Sequence, residues 1–217
     1  MSMLRSGRLP VLAAAVCLVF AVPAAAAPAV DPNRAVEVVN HAVDDAFKTF
    51  AGKGLSQDEA HRAADDLIRR YTDLRVLSAA ILGRYWTAAS PADQEKFLTL
   101  LVNYAIAGWA SQIISLDPKD KITIAGAVPA GETVRVHAVS TSPGEDPTPV
   151  DFIVSAADGR LIISDALIEN VSFIRTMHDD FSAFLGSNGG RLEALMAAMQ
   201  KKIDANSVAG APAPPKK

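Results

Sequence analysis

The sequence predicts an α+β domain: a twisted antiparallel sheet of about four strands with helices packed on one face. Three observations carry that reading. Apolar residues recur at helical spacing in the first and last parts of the chain and alternate at strand spacing between them. The strand-like runs are joined by short turns rich in glycine and proline, which imply antiparallel neighbours. The chain has 217 residues, 50% of them hydrophobic, enough for one buried core.

The elements follow in order. Pro32 to Ala51 carries Val36, Val39, Val43, Phe47 and Phe50 at spacings of three and four, one helical stripe, and Gly52-Lys53-Gly54 stops it. Ser56 with Glu59 forms a capping box that opens a helix through Tyr71. Asp73 to Leu82 is a short third helix, ended by Gly83. Ser90-Pro91, a capping serine followed by proline at the first helical position, opens a long helix to about Ile114. That helix is apolar on most of its surface, so it is buried or lines something apolar. Strands are predicted over Lys121–Val128, Thr133–Thr141, Val150–Ala156 and Arg160–Ile168, and Ala157-Asp158-Gly159 is a hairpin signal. Two helices close the chain, Phe173–Leu185 and Arg191–Asp204.

The ends read differently. Residues 1–26 have the pattern of an export signal peptide: Arg5 and Arg8 first, an apolar run from Leu9 to Val22, then small residues with cleavage expected after Ala26. An uncleaved anchor is the alternative. Cleavage leaves a single domain over 27–204 and removes Cys17, the one cysteine, so the mature chain would hold no disulfide. Residues 205–217 are Ala/Pro-rich and read as disordered. The full chain has 21 basic and 24 acidic residues; losing Arg5 and Arg8 gives a net charge of −5 (19 minus 24). That balance argues against a nucleic-acid binder, which needs a net basic footprint.

Little points to catalysis. His41, His61, His137 and His178 are scattered, and none forms a metal-binding pair. No nucleophile elbow, phosphate loop or dinucleotide loop is present, so no cofactor or metal is predicted. Asp165 is the one acid inside an apolar strand. It is either a catalytic base with a raised pKa or a carboxylate held by a backbone or arginine partner. Ser172 reads as a helix cap, and Arg84 as a phosphate holder, an aromatic-stacking group, or a partner of Asp165 or Glu169.

The segment RLIISDALIENVSFIRTMHDDF, Arg160 to Phe181, resembles the closing motif of the MlaC family of periplasmic lipid carriers, the toluene-tolerance proteins, which includes the hopanoid-associated branch HpnM. Asp165, Glu169, Val171, Ser172 and Phe181 match the family pattern. Leu161 stands where an aromatic is usual, Asn170 where glycine is usual, and Met177-His178 where Tyr-Arg is usual. Leu82-Gly83-Arg84-Tyr85-Trp86 followed by Ser90-Pro91 and Phe97 is similar to a second family segment. The resemblance runs from about Val30 to Ile203, and Arg175-Thr176 with Asp179-Asp180-Phe181 is closer to the hopanoid branch.

Periodicity alone is satisfied by a filled core. The resemblance implies instead that sheet and helices separate to enclose an apolar lipid pocket. Its expected lining is Tyr85, Trp86, Phe97, Leu101, Tyr104, Trp109 and Ile113 from the helices, Val134, Val136, Phe152, Val154 and Ile163 from the sheet, and Val171, Ile174 and Phe181 from the closing segment. Val136 and Ile163 are expected to face cargo alone. The resemblance further implies a periplasmic carrier of a phospholipid or a hopanoid. It implies two docking partners, an inner-membrane MCE-domain ABC transporter and an outer-membrane lipoprotein complex. A small enzyme using Asp165 with His137, and a membrane-anchored assembly factor with a filled core, remain as the other readings.

Overall fold

Asp31 accepts hydrogen bonds from the Asn33 and Arg34 amides at 2.9 and 3.0 Å, and Pro32 follows at the first helical position, so α1 (Pro32–Phe50) begins where the sequence predicts. In the computed structural model, residues 30–114 and 116–209 are described, apart from the side chains of 109–114 and 207–209. The expected signal peptide, 1–26, lies outside them.

The Ser56–Glu59 capping box opens α2 (Gln57–Tyr71), with the Ser56 amide donating to Glu59 at 3.0 Å. Both the hydroxyl and the amide of Ser56 bond the Glu59 carboxylate, the hydroxyl contributing more, and hold its pKa below the usual range. Ser56→Ala is expected to cost about 1 kcal/mol, or about 2–4 °C in a domain of this size, read by thermal melting. A melting temperature unchanged within 1 °C (roughly 0.3–0.5 kcal/mol) would show the box idle.

Helix α3 (Leu74–Leu82) is capped by Asp73 and stops at Gly83, whose φ of 53° favours glycine. A single turn, α4 (Arg84–Ala88), follows. The long helix α5 (Pro91–Ile114) then leads to the sheet. The strands β1 (Lys121–Ala130), β2 (Thr133–Thr141), β3 (Thr148–Ala157) and β4 (Arg160–Ile168) are all antiparallel neighbours in chain order. A fifth strand of two residues, β5 (Val171–Ser172), was not anticipated. It returns from β4 through Glu169 and Asn170 at φ 50° and 65°, both left-handed although neither is glycine. Asparagine tolerates that region better than most residues, which explains how Asn170 can stand where the family pattern has glycine.

Helices α6 (Phe173–Ser187) and α7 (Leu192–Ala209) close the fold. Residues 205–209, which the sequence reading places in the Ala/Pro-rich tail, continue α7. Packing explains the extension: α7 lies along α5, and the Asn206 side chain donates to the Ala107 carbonyl at 3.3 Å. Residues 210–217 lie outside the described region.

Three apolar clusters hold the fold together, one packing α1 on the sheet and two packing helices on one another. Ala35 and Val39 of α1 cover Val134, Val136 and Val154. Phe50, Ala60 and Ala64 meet Val102 and Ile106 of α5, the two alanines letting α2 approach closely. The other side of α5, through Phe97, Leu100 and Leu101, packs with α3, α6 and α7. Serving two clusters is why α5 is apolar nearly all round.

A polar tie joins α1 to α2. Asp45 accepts from Tyr71 Oη at 2.7 Å and from Arg70 at 2.8 Å, and these bonds, Tyr71's first, hold its carboxyl below the usual carboxylate range. Because the folded-state pKa is lowered, the stabilisation is present above about pH 4 and is lost as pH falls through the lowered value. Thermal melts between about pH 2 and pH 5 should therefore fall less steeply for Asp45→Asn than for wild type, and parallel slopes would remove Asp45 from the acid response.

Candidate functional site

Beside the α1 cluster, with which it shares Phe152 and Ile163, sheet and helices leave a cavity of about 620 Å³. Ile68 of α2, Thr72 at its C-cap, and Leu74, Leu77 and Ile81 of α3 form one side. Leu101, Val102, Ala105 and Ile106 of α5 form another. Opposite lie Phe152 of β3, residues 163–166 and Ile168 of β4, and the β5–α6 corner from Val171 to Ile174 with Thr176.

The wall is more apolar than its residue types suggest. Five polar side chains reach it, and each is bonded within the protein. Thr72 Oγ1 donates to the Ile68 carbonyl at 2.7 Å, Thr176 Oγ1 to the Ser172 carbonyl at 2.8 Å, and Ser164 Oγ to the Ile153 carbonyl at 3.3 Å. Ser172 Oγ donates to Asp165 at 2.5 Å. Asp165 also accepts from the backbone amides of Ala166 at 2.8 Å and Ile174 at 3.1 Å. Hydrogen-bonding capacity spent in this way leaves a surface that an acyl chain meets much as it meets hydrocarbon. The exposed members of the lining are Ile168, Val171 and Thr176. Val171 is 63% exposed and Ile168 37%, so the apolar wall runs outward onto the tip of the β4–β5 hairpin.

Asp165 is thus a structural tie between β4 and the start of α6. Ser172 is part of the same tie: it caps α6 by accepting from the Arg175 amide at 2.9 Å. Arg84 is not the partner of Asp165; its guanidinium lies 5.0 Å from the Tyr85 ring centroid and bonds the Tyr85 hydroxyl. His137 is two strands away on β2, engaged with Asp151 at 2.8 Å, so it does not join Asp165. Among the described residues no group of histidine, cysteine and carboxylate side chains could hold a metal ion.

Five of the residues named from the sequence lie on the cavity wall: Leu101, Phe152, Ile163, Val171 and Ile174. Others lie elsewhere. Phe97 and Phe181 are buried in the α3–α7 core with Tyr85, Trp86 and Tyr104 packed against them, the Phe97 ring edge-on to both Trp86 and Phe181. Val134, Val136 and Val154 are fully buried beneath α1, so Val136 does not face the cavity. Trp109 and Ile113 lie outside the residues whose side chains are described. Sequence reasoning missed the α2–α3 wall. The signal was there, in Leu74, Leu77 and Ile81 at spacings of three and four, but an amphipathic stripe does not reveal whether it meets a neighbour or a void.

The model of the family described as MlaC protein matches residues 40–201 of the chain. Among solved structures, the chain is similar to a phospholipid-binding protein from Ralstonia solanacearum in complex with a phospholipid. The TM-score is 0.72 at 19% identity, covering 79% of this chain and 97% of that one. At that identity the likeness is one of fold. Among the described residues no helix is long and apolar enough to cross a membrane.

Proposed function

The chain belongs to the MlaC family, and from that premise we propose that it is a lipid carrier, a binding protein and not an enzyme. The carrying observation is the cavity whose every polar wall group is already bonded within the protein. Such a wall is a good solvent for hydrocarbon. The Ralstonia structure, which holds a phospholipid in the same fold, supports phospholipid as cargo.

The energetics explain why a carrier is needed. Two acyl chains hide on the order of 30 methylenes, and at roughly 0.8 kcal/mol each their exposure to water costs more than 20 kcal/mol. Handover between two apolar sites avoids that cost. The chain would work in the periplasm after cleavage behind Ala26, moving lipid between the inner and outer membranes. It would exchange cargo with an inner-membrane MCE-domain ABC transporter and an outer-membrane lipoprotein complex, and would bind no nucleic acid. The head group would remain near the mouth, in water. A hopanoid is the second cargo, favoured by the Arg175-Thr176 and Asp179-Asp180-Phe181 residues.

Native mass spectrometry of the periplasmic protein, with organic extraction of what travels with it, tests this reading. A stoichiometric phospholipid supports it, and a hopanoid would change the cargo class. A bare protein mass under mild conditions would overturn it.

A further inference from the structure

The two long walls of the cavity come from separate parts of the chain, the α2–α3 junction and β4. Strand β4 pairs with β5 only at Leu167 and Ile168, so its first part has no strand on that side. Helix wall and sheet wall therefore meet along a seam without a ladder of backbone bonds.

Arg160 crosses this seam. It is the first residue of β4, placed there by the two-residue turn Asp158-Gly159 at φ 47° and 77°. Its guanidinium donates to the Thr72 carbonyl at 2.7 Å and the Arg70 carbonyl at 3.2 Å, and lies 3.8 Å from the Asp73 carboxylate. Those carbonyls end α2, where a helix leaves its acceptors without intrahelical partners and where partial negative charge favours a cation. Thr72 and Leu74 line the cavity on one side of the bridge and Ile163 on the other.

The bridge has the properties of a catch. It is polar at the boundary of an apolar space. The Arg160 side chain is 44% exposed, so water replaces its partners when the bridge opens. Its main acceptors are backbone oxygens, which stay in place whichever rotamer a neighbour takes.

We propose that Arg160 is the clasp of the lipid seam. Closed, it holds the α2–α3 junction against β4; open, it lets the walls part so that an acyl chain passes. The inference rests on the lipid-carrier reading.

The test is transfer of a fluorescent phosphatidylglycerol between the protein and phosphatidylethanolamine/phosphatidylglycerol vesicles. Arg160→Met keeps the aliphatic stem and removes every donor. It is expected to speed transfer in both directions about tenfold, equivalent to a barrier lowered by about 1.4 kcal/mol, with Arg160→Lys between it and wild type. Wild-type transfer rates in a folded Arg160→Met protein would overturn the clasp, as would a lower melting temperature without faster transfer. Hydrogen exchange on wild type reads the same opening without a substitution. Amides of residues 72–77 and 160–166 should exchange faster in the empty than in the lipid-loaded protein, and equal protection would overturn the proposal. If wild type takes up no fluorescent lipid at all, it is the carrier reading that fails, and the clasp with it.

Discussion

Replacing Ile163 by tryptophan is expected to cut co-purifying lipid at least tenfold and leave the fold intact. Ile163 lies on the cavity wall and also packs against the α1 cluster, so an indole that takes the cavity-facing direction fills the open volume. Every methylene it displaces forfeits roughly 0.8 kcal/mol of burial, and two displaced methylenes already exceed the 1.4 kcal/mol that equals a tenfold loss of affinity. Extraction and mass spectrometry give the lipid load, and thermal melting reports the fold. Val136→Trp is the informative contrast. Val136 is 0% exposed beneath α1, so the added ring must push α1 from the sheet, at about 1–3 kcal/mol or more. A folded Ile163→Trp protein with its full lipid load would remove this cavity as the cargo site.

Asp165→Ala should produce the largest loss of stability among the wall substitutions, about 3 kcal/mol, or about 6–12 °C in melting temperature. The carboxylate accepts from two backbone amides and one hydroxyl, and alanine leaves all three donors half-buried without an acceptor. The damage should be local before it is global. Ile174 and Ser172 mark the start of α6, so hydrogen exchange at 171–176 should rise first, together with leakage of bound lipid. Asp165→Asn retains one oxygen for the amides but cannot accept the Ser172 hydroxyl on its nitrogen, and should fall between the two. Melting of Asp165→Ala at the wild-type temperature would refute the tie. Loss of a measured turnover in Asp165→Asn with wild-type stability would instead revive the enzyme reading.

How much of this was legible in the chain can be seen in α5. Its start is readable from Ser90-Pro91 and its apolar surface from composition, but neither tells which of Phe97, Leu101 and Tyr104 meets a void. Only Leu101 of these reaches the cavity; Val102, Ala105 and Ile106 supply the rest of the α5 lining. The same limit misplaced Val134, Val136 and Val154. Alternation placed them on the apolar face of the sheet, yet that face is shared between α1 and the cavity, and only the position of α1 divides it.

The order and type of the long elements, the caps that start them, the antiparallel meander and, through two matched segments, the family are legible in the chain. These properties are encoded locally, in periodicity, turn residues and short motifs within a few residues of one another. Which apolar face is filled and which is hollow, the tie of Asp165 between β4 and α6, the glycine-free hairpin at Glu169-Asn170 and the reach of Arg160 to α2 are visible only in the folded molecule. Each depends on groups brought together from distant parts of the chain: Arg160 and Thr72 are far apart in sequence and 2.7 Å apart in space. A void leaves no local trace, because the residues around it satisfy the same hydrophobic pattern as residues that touch.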